Sequence, residues 1–244
     1  MMQIIAAAFL LLTFVGNAVQ AQTFDSVEEE RIKKLALEAI LEQPEIIELA
    51  YQRLQQIRQE EEQKEVLAFL ANRTLDFEHD PNAPVIGNPS GDVTIVEFFD
   101  YNCPYCKRAT DVVERLLEDD RNIRLVYREW PILSEGSVFA ARAALAARKQ
   151  NKYAEMHKAL MSASRVDETV SIQIAKDLNL DIEKLRADME GAEVETHIRL
   201  SMELAQGLKI NGTPTFVVGD FVGPGLIPYE QLADAVANQR NKEK

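Results

Sequence analysis

Cys103 and Cys106 are the only two cysteines in the 244-residue chain, and just two residues separate them. They follow the apolar run Val93–Phe99, which predicts a buried central strand, and they precede a helical pattern from Cys106 to Leu117. A disulfide closing so short a loop removes little conformational entropy from the unfolded chain, so it would stabilise a fold poorly. The pair therefore predicts redox chemistry rather than a structural role.

The placement of the pair at the start of a helix explains this chemistry. A helix N-terminus presents free N–H groups and a partial positive charge, which stabilise a thiolate at Cys103. Cys106, one turn further on, is expected to resolve the mixed disulfide. Half a zinc site is the alternative, but the histidines His79, His157 and His197 stand at no short ligand spacing. We therefore predict no metal, and no cofactor other than the redox-active Cys103–Cys106 disulfide.

The first residues have the pattern of a signal peptide. An apolar stretch from Ile4 to Val15 is followed by small residues, with cleavage expected after Ala21, so residues 1–21 are predicted to direct export. A membrane anchor is the alternative, but the apolar run is shorter than the roughly 18 residues that a spanning helix needs. The net charge of −13 disfavours nucleic acid or an anionic membrane as a partner.

Residues 22–80 are predicted to form an N-terminal helical segment. Four apolar residues there keep the 3-4-3 spacing of a coiled-coil seam: Ile47, Ala50, Leu54 and Ile57. We interpret residues 24–75 as an oligomerisation segment that makes the protein a homo-oligomer. The alternative is an amphipathic helix that folds back on its own domain.

A second domain is predicted over residues 81–244, after a segment rich in Pro, Gly and Asn. Its pattern is strand–helix–strand, then a helical block over about 135–208, then a hairpin from Thr215 to Val222 and a closing helix.

Two separated motifs in this domain carry a family resemblance. The segment 97–107, which contains Cys-Pro-Tyr-Cys, resembles the active-site segment of the DsbA family of periplasmic thiol–disulfide oxidoreductases. The segment 211–216, Asn-Gly-Thr-Pro-Thr-Phe, resembles the loop that carries that family's cis-proline. The likeness runs from about Val85 to Ala237. It implies an α/β thioredoxin fold with an inserted helical domain, preceded here by the N-terminal helical extension.

The resemblance assigns roles to the residues of these motifs. Cys103 would be the nucleophile and Cys106 the resolving thiol. Pro214 would be cis and would expose the backbone of Thr213 for pairing with a substrate strand. An ordinary Thr-Pro turn is the alternative for this dipeptide.

Glu97 is one polar residue within an apolar strand, so burial is expected to raise its pKa. The family has an acid at this spacing before the first cysteine, which implies proton transfer to or from the thiols. A solvent-facing or lysine-paired glutamate is the alternative.

The residues between the cysteines, Pro104 and Tyr105, tune the redox poise. Strongly oxidising members resemble Cys-Pro-His-Cys, and the neutral Tyr105 would stabilise the reduced thiolate less than that histidine does. Thr213 also resembles the isomerases rather than those oxidases. The combination resembles the ScsC-like and Com1-like branch of the family.

The resemblance therefore implies a periplasmic disulfide isomerase or reductase. It would act on unfolded or misfolded exported proteins with cysteines and be kept reduced by a membrane redox partner. A DsbA-like dithiol oxidase is the first alternative. A metal-handling protein that holds Cu(I) on the two thiolates is an alternative of another class.

Overall fold

The computed structural model describes residues 25–242, so the predicted signal peptide lies outside the described residues. The helices of this range are α1 (Ser26–Glu42), α2 (Glu45–Glu78), α3 (Pro104–Asp119), α4 (Glu135–Ala147), α5 (Tyr153–Ser162), α6 (Glu168–Asp177), α7 (Ile182–Met189), α8 (Ala192–Gly207) and α9 (Tyr229–Lys242). The strands are β1 (Val85–Gly87), β2 (Val93–Phe99), β3 (Ile123–Glu129), β4 (Thr215–Val218) and β5 (Phe221–Pro224). Within residues 25–242, every helix is too short or too polar to cross a membrane.

The five strands form one sheet in the order β1-β3-β2-β4-β5. β2 and β3 are parallel, and the other neighbouring pairs are antiparallel. β2 lies at the centre and is almost fully buried, which confirms the strand predicted from its apolar run. β1 was not predicted, because it is three residues long and lies between two segments rich in turn formers. The fold is the predicted α/β thioredoxin fold.

The helical insertion interrupts the sheet between β3 and β4. Five helices, α4 to α8, span Glu135 to Gly207, where the sequence predicted a helical block. The breaks between them carry residues that end or begin helices: Asn151 and Asn179 adopt positive φ, and Asp167 and Asp181 cap the helices that follow.

The sheet divides the core into two clusters. Ile95 and Phe99 belong to the cluster that also holds residues of α3, of α9 and of the helical insertion. Val96 and Phe98 point to the other side and pack with residues of α2 and α8. Because side chains alternate along a strand, Glu97 lies on the same face as Ile95 and Phe99, below α3.

The chain divides into two compact units, residues 25–58 and residues 59–242 of the described range. The predicted division at residue 80 is therefore misplaced. The C-terminal part of α2 belongs to the second unit, because Leu70 and Phe77 are buried there. The Phe77 ring packs edge-on against that of Phe98, with 6.2 Å between ring centres. The sequence pattern does not show where α2 enters the second unit, because an acidic stretch precedes Leu70.

The first unit contains α1 and the start of α2. α1 begins with a capping box in which the Asp25 carboxylate accepts from the backbone N–H of Glu28, and the Glu28 carboxylate accepts from that of Asp25. All side chains of α1 are at least one-third exposed, including large apolar ones. This unit has no core of its own among residues 25–58.

Candidate active site

The two cysteines lie at the N-terminus of α3. Cys103 is the N-cap residue, and Pro104 occupies the first helical position, where a missing N–H costs nothing. The Cys103 backbone N–H donates to the Asp100 carbonyl oxygen at 3.0 Å, which folds the chain tightly between β2 and the helix. Both cysteines are free thiols and both are buried.

The loop before β4 brings a second part of the chain to the thiols. The Cys103 sulfur lies 3.2 Å from the carbonyl oxygen of Thr213, to which the thiol donates a hydrogen bond when it is protonated. The Thr213–Pro214 peptide bond is cis. β4 lies beside β2, with Phe98 opposite Thr215, so the sheet itself places this loop next to the end of β2.

The environment shifts the pKa values of the two thiols in opposite directions. The pKa of Cys103 is lowered to about 5, first by a hydrogen bond from the Cys106 thiol. The Thr213 side chain and the backbone N–H groups of Tyr105 and Cys106 add to this effect against the cost of burial. The pKa of Cys106 is raised far above its usual value, first by burial. The arrangement therefore holds one reactive thiolate and one protonated thiol at neutral pH.

Glu97 is buried on the face of the sheet below the thiols. Its neighbours across the strands are Tyr127 on β3 and Phe216 on β4. Burial, followed by the negative charge of Cys103, raises the pKa of Glu97 to about 8. A carboxyl group with such a pKa can accept or release a proton near neutral pH.

Tyr105 forms the exposed rim of the site. Its side chain is 52 % exposed, and the Arg108 guanidinium lies over its ring, 4.6 Å from the ring centre. The sequence interpretation treated Tyr105 as a neutral replacement for a charged residue. In the structure, the Arg108 guanidinium supplies a positive charge beside Tyr105, because residues three apart face the same side of a helix.

The structure brings the predicted site residues together in one place. Cys103, Cys106, Thr213 and Pro214 form its centre, with Pro104 and Tyr105 on the helix and Glu97 below.

Three polar residues near the thiols escaped the sequence analysis. The Asp100 carboxylate accepts from the backbone N–H groups of Asn102, Ile132 and Leu133, and so fixes the loop after β3 to the loop before α3. Asn102 and Lys107 contact the helical insertion. Only their position beside the cysteines could have indicated a role in the site. Their contacts could not be predicted, because the partners lie 32 to 64 residues away.

A separate buried cluster lies on the β3 side of the sheet. The Arg128 guanidinium donates to the Asp80 carboxylate at 2.6 Å, and His197 Nε2 lies 2.7 Å from the Glu129 carboxylate. The Tyr153 hydroxyl also donates to Glu129, at 2.6 Å. Opposite charges are paired here, as buried charges must be. Across residues 25–242, no three His, Cys, Asp or Glu side chains are grouped as metal ligands.

The fold and the paired thiols define a thioredoxin-like protein with a dithiol at a helix N-terminus. The family of the DSBA-like thioredoxin domain matches residues 94–237, more than half of the chain. The chain therefore belongs to this family.

Two solved structures are similar over different lengths of the chain. A thioredoxin-like oxidoreductase from Silicibacter pomeroyi DSS-3 is 58 % identical, with a TM-score of 0.67. The match covers 68 % of this chain and 97 % of that one. Proteus mirabilis ScsC in a transitional conformation is 27 % identical, with a TM-score of 0.65, over 90 % of this chain and 98 % of that one. The likeness to ScsC supports the ScsC-like type within the family.

Among curated proteins, the Na(+)/H(+) antiporter NhaA 3 of Salinispora tropica is 31 % identical over 161 residues. These residues are 64 % of this chain, but the match spans only 25 % of the antiporter. The chain thus corresponds to about a quarter of the length of this relative.

Proposed function

We propose that the protein is a thiol–disulfide oxidoreductase that acts as a disulfide isomerase or reductase on exported proteins with cysteines. The observation that carries thiol–disulfide exchange is the contrast between the two thiols, and the isomerase or reductase role rests on the resemblance given by Tyr105 and Thr213. Cys103, with a pKa lowered to about 5, is a thiolate at neutral pH, whereas burial keeps Cys106 protonated. Cys103 can therefore act as the attacking thiol and Cys106 as the resolving thiol.

The proposed exchange begins with the Cys103 thiolate. It attacks one sulfur of a substrate disulfide, which forms a mixed disulfide and releases the other substrate sulfur as a thiolate. In isomerisation, a different substrate thiolate attacks the mixed disulfide, forms a new substrate disulfide and releases Cys103 unchanged. No net electrons are transferred on this path.

In reduction, Cys106 loses its proton and attacks the Cys103 sulfur. The second substrate thiolate leaves, and a Cys103–Cys106 disulfide remains. The substrate gains two electrons, which the protein loses, and its two thiolates take up protons from solvent. Glu97 is proposed to take the proton from Cys106, because it is buried beside the pair with a pKa near neutral. A dithiol of a membrane redox partner would then reduce the disulfide again.

The backbone of Thr213 is proposed to bind the substrate segment. Its carbonyl oxygen lies 3.2 Å from the Cys103 sulfur, so a substrate strand paired with this loop would present its own sulfur to Cys103.

We further propose that the protein works in the periplasm as a homo-oligomer. Of the predicted oligomerisation segment 24–75, the part that would join the copies is residues 25–58, because the rest of α2 packs in the second unit. The similarity to ScsC covers 90 % of this chain, so it extends beyond the second unit into the first. The described part of this segment exposes apolar side chains that a second copy would cover, among them Leu37, Leu41, Ile47 and Leu49.

A dithiol oxidase is the second candidate, and one observation favours it. A thiolate with a pKa near 5 stabilises the reduced form of the pair, which makes the disulfide more oxidising. This effect opposes the interpretation that Tyr105 makes the pair less oxidising.

Refolding of ribonuclease separates the two candidates. An isomerase restores activity to ribonuclease with scrambled disulfides when the protein is supplied reduced. An oxidase acts on fully reduced ribonuclease when it is supplied oxidised. Activity on the reduced substrate alone would reject the isomerase proposal, and Cys103→Ala is the inactive control for both assays.

A further inference from the structure

Two residues that flank the thiols are fastened to one loop of the helical insertion, residues 163–167 between α5 and α6. Asn102, which precedes Cys103, forms a pair of hydrogen bonds with the backbone of Val166. Its Oδ1 accepts from the Val166 N–H at 2.8 Å, and its Nδ2 donates to the Val166 carbonyl at 3.0 Å. This loop therefore has a fixed position beside the active site.

Lys107, which follows Cys106, reaches the end of α5. Its ammonium donates to the carbonyl oxygen of Ala163 and to that of Leu160, the latter at 3.4 Å. Carbonyl groups at a helix C-terminus carry partial negative charge and bind cations well. The ammonium is thereby held in place rather than free to move into solvent.

Gly136 on α4 shows how closely the loop is seated. A Cβ added to this glycine would lie 2.5 Å from the Val166 carbonyl oxygen, which is too close for any other residue without a backbone shift. The 163–167 loop is thus fixed from α4 as well as from Asn102 and Lys107. The Ala163 carbonyl group at the start of this loop therefore accepts from the Lys107 ammonium at a fixed position.

Lys107 lies one helical turn after Cys103, and its backbone N–H donates to the Cys103 carbonyl oxygen at 3.2 Å, so the two side chains start from the same side of α3. Within residues 25–242, Lys107 forms no ion pair with a carboxylate, unlike most other lysines of the second unit. Partial burial lowers the pKa of Lys107, and the negative charges that oppose this shift are those of Asp100, Cys106 and Cys103.

We propose that Lys107 is a positioning residue that sets the redox poise of the dithiol, with its ammonium fixed by the end of α5 so that it favours the thiolate of Cys103. This inference rests on the proposed thiol–disulfide exchange. Reduction of the Cys103–Cys106 disulfide adds two electrons and two protons, and at neutral pH Cys103 returns its proton to solvent. A fixed cation stabilises the thiolate that remains, and so favours the reduced pair.

The test is the equilibrium of the full-length protein with reduced and oxidised glutathione. Lys107→Met keeps the length of the side chain and removes its charge. We expect the equilibrium to shift about tenfold toward the disulfide, which corresponds to a reduction potential about 30 mV lower. The titration midpoint of the Cys103 thiolate, followed at 240 nm, should rise in the same variant.

Two further variants separate charge from structure. Lys107→Arg keeps the cation and should restore the wild-type equilibrium and midpoint. Lys158→Met removes the charge of a lysine that lies on α5 itself and pairs with Glu114 at the surface, and it should change neither.

The outcomes distinguish this inference from the proposed function. If the wild-type pair does not exchange with glutathione, the proposed function fails. If the wild type exchanges but Lys107→Met matches it, or Lys107→Arg shifts as far as Lys107→Met, the electrostatic role of Lys107 is rejected.

Discussion

At the scale of single residues, the site depends on the hydrogen bond between its two thiols. This bond is the largest cause of the low pKa of Cys103. Cys106→Ala removes it, so we expect the pKa of Cys103 to rise from about 5 toward its usual value of 9. Absorbance of the thiolate at 240 nm measures the midpoint.

The matched control for this titration is Cys103→Ala, which retains only the Cys106 thiol. Burial raises the pKa of that thiol, so no thiolate signal should develop near neutral pH. A midpoint that stays near 5 in Cys106→Ala would show that the helix N-terminus alone stabilises the thiolate.

The buried carboxyl of Glu97 gives the free energy of unfolding a dependence on pH. Its pKa is raised from 4.5 to about 8, so between these values the folded protein binds a proton that the unfolded chain has released. The associated stability is complete below pH 4.5 and is lost as the pH rises through 8. Glu97→Gln stays neutral, so its stability relative to wild type should grow by about 1.4 kcal/mol per pH unit in this window.

Urea unfolding of the reduced proteins at several pH values measures this difference. Comparison of the variant with wild type cancels the opposite contribution of Cys103, which both proteins carry. Glu118→Gln, an exposed change on α3, is the control and should leave the pH slope as it is. Parallel slopes for Glu97→Gln and wild type would contradict a raised pKa.

At the scale of secondary-structure elements, a buried charge cluster ties β3 to α8 and to the segment after α2. His197 on α8 lies between two carboxylates, with Nε2 2.7 Å from Glu129 and Nδ1 3.5 Å from Asp80. The pKa of His197 is raised because these negative charges outweigh the cost of burial. The imidazolium therefore links three elements.

His197→Ala leaves the Glu129 and Asp80 carboxylates with less compensation in the core. We expect a loss of about 3–5 kcal/mol in the free energy of unfolding at pH 6, measured with urea. Arg199→Ala removes an exposed ion pair with Glu203 on the same helix and should cost less than about 1 kcal/mol. Equal losses of unfolding free energy in the two variants would show that the buried cluster stabilises the fold no more than an exposed ion pair does.

The sequence predicted elements well where local chemistry decides them. The strand Val93–Phe99 and the breaks near Asn151 and Asn179 follow from an apolar run and from residues that favour turns. The division of α2 at residue 58 was missed, because Phe77 becomes a core residue only through contact with Phe98, which comes much later in the chain. Roles of this kind depend on partners that periodicity does not identify.

The same limit applies to the site. Its centre could be predicted because the thiols and the Thr213–Pro214 loop form motifs with a known chemistry. Asn102, Lys107 and His197 act through contacts with residues 53 to 68 positions away. A single sequence gives no indication of which distant residue each of them meets.

At the scale of the whole molecule, the first unit has no core among its described residues. Leu41 on α1 is 69 % exposed. If a second copy covers this surface, Leu41→Glu should place a charge in the interface and shift the protein toward monomers. Sedimentation velocity measures the change at several protein concentrations.

Leu75→Glu is the matched control, because Leu75 is 73 % exposed but belongs to the second unit. It should leave the sedimentation coefficient unchanged. A wild-type protein that sediments as a monomer would reject the oligomer. Identical shifts for both variants would reject an interface confined to the first unit.

The deep burial of the Cys106 thiol also has a consequence for timing. In the proposed exchange, Cys106 can resolve a mixed disulfide on Cys103 only after it loses its proton, and burial makes that event rare at neutral pH. A bound client would therefore have an interval in which its own thiols can try other pairings before it is released. The more readily Cys106 gives up its proton, the shorter this interval is, so burial of the Cys106 thiol prolongs the lifetime of the covalent complex.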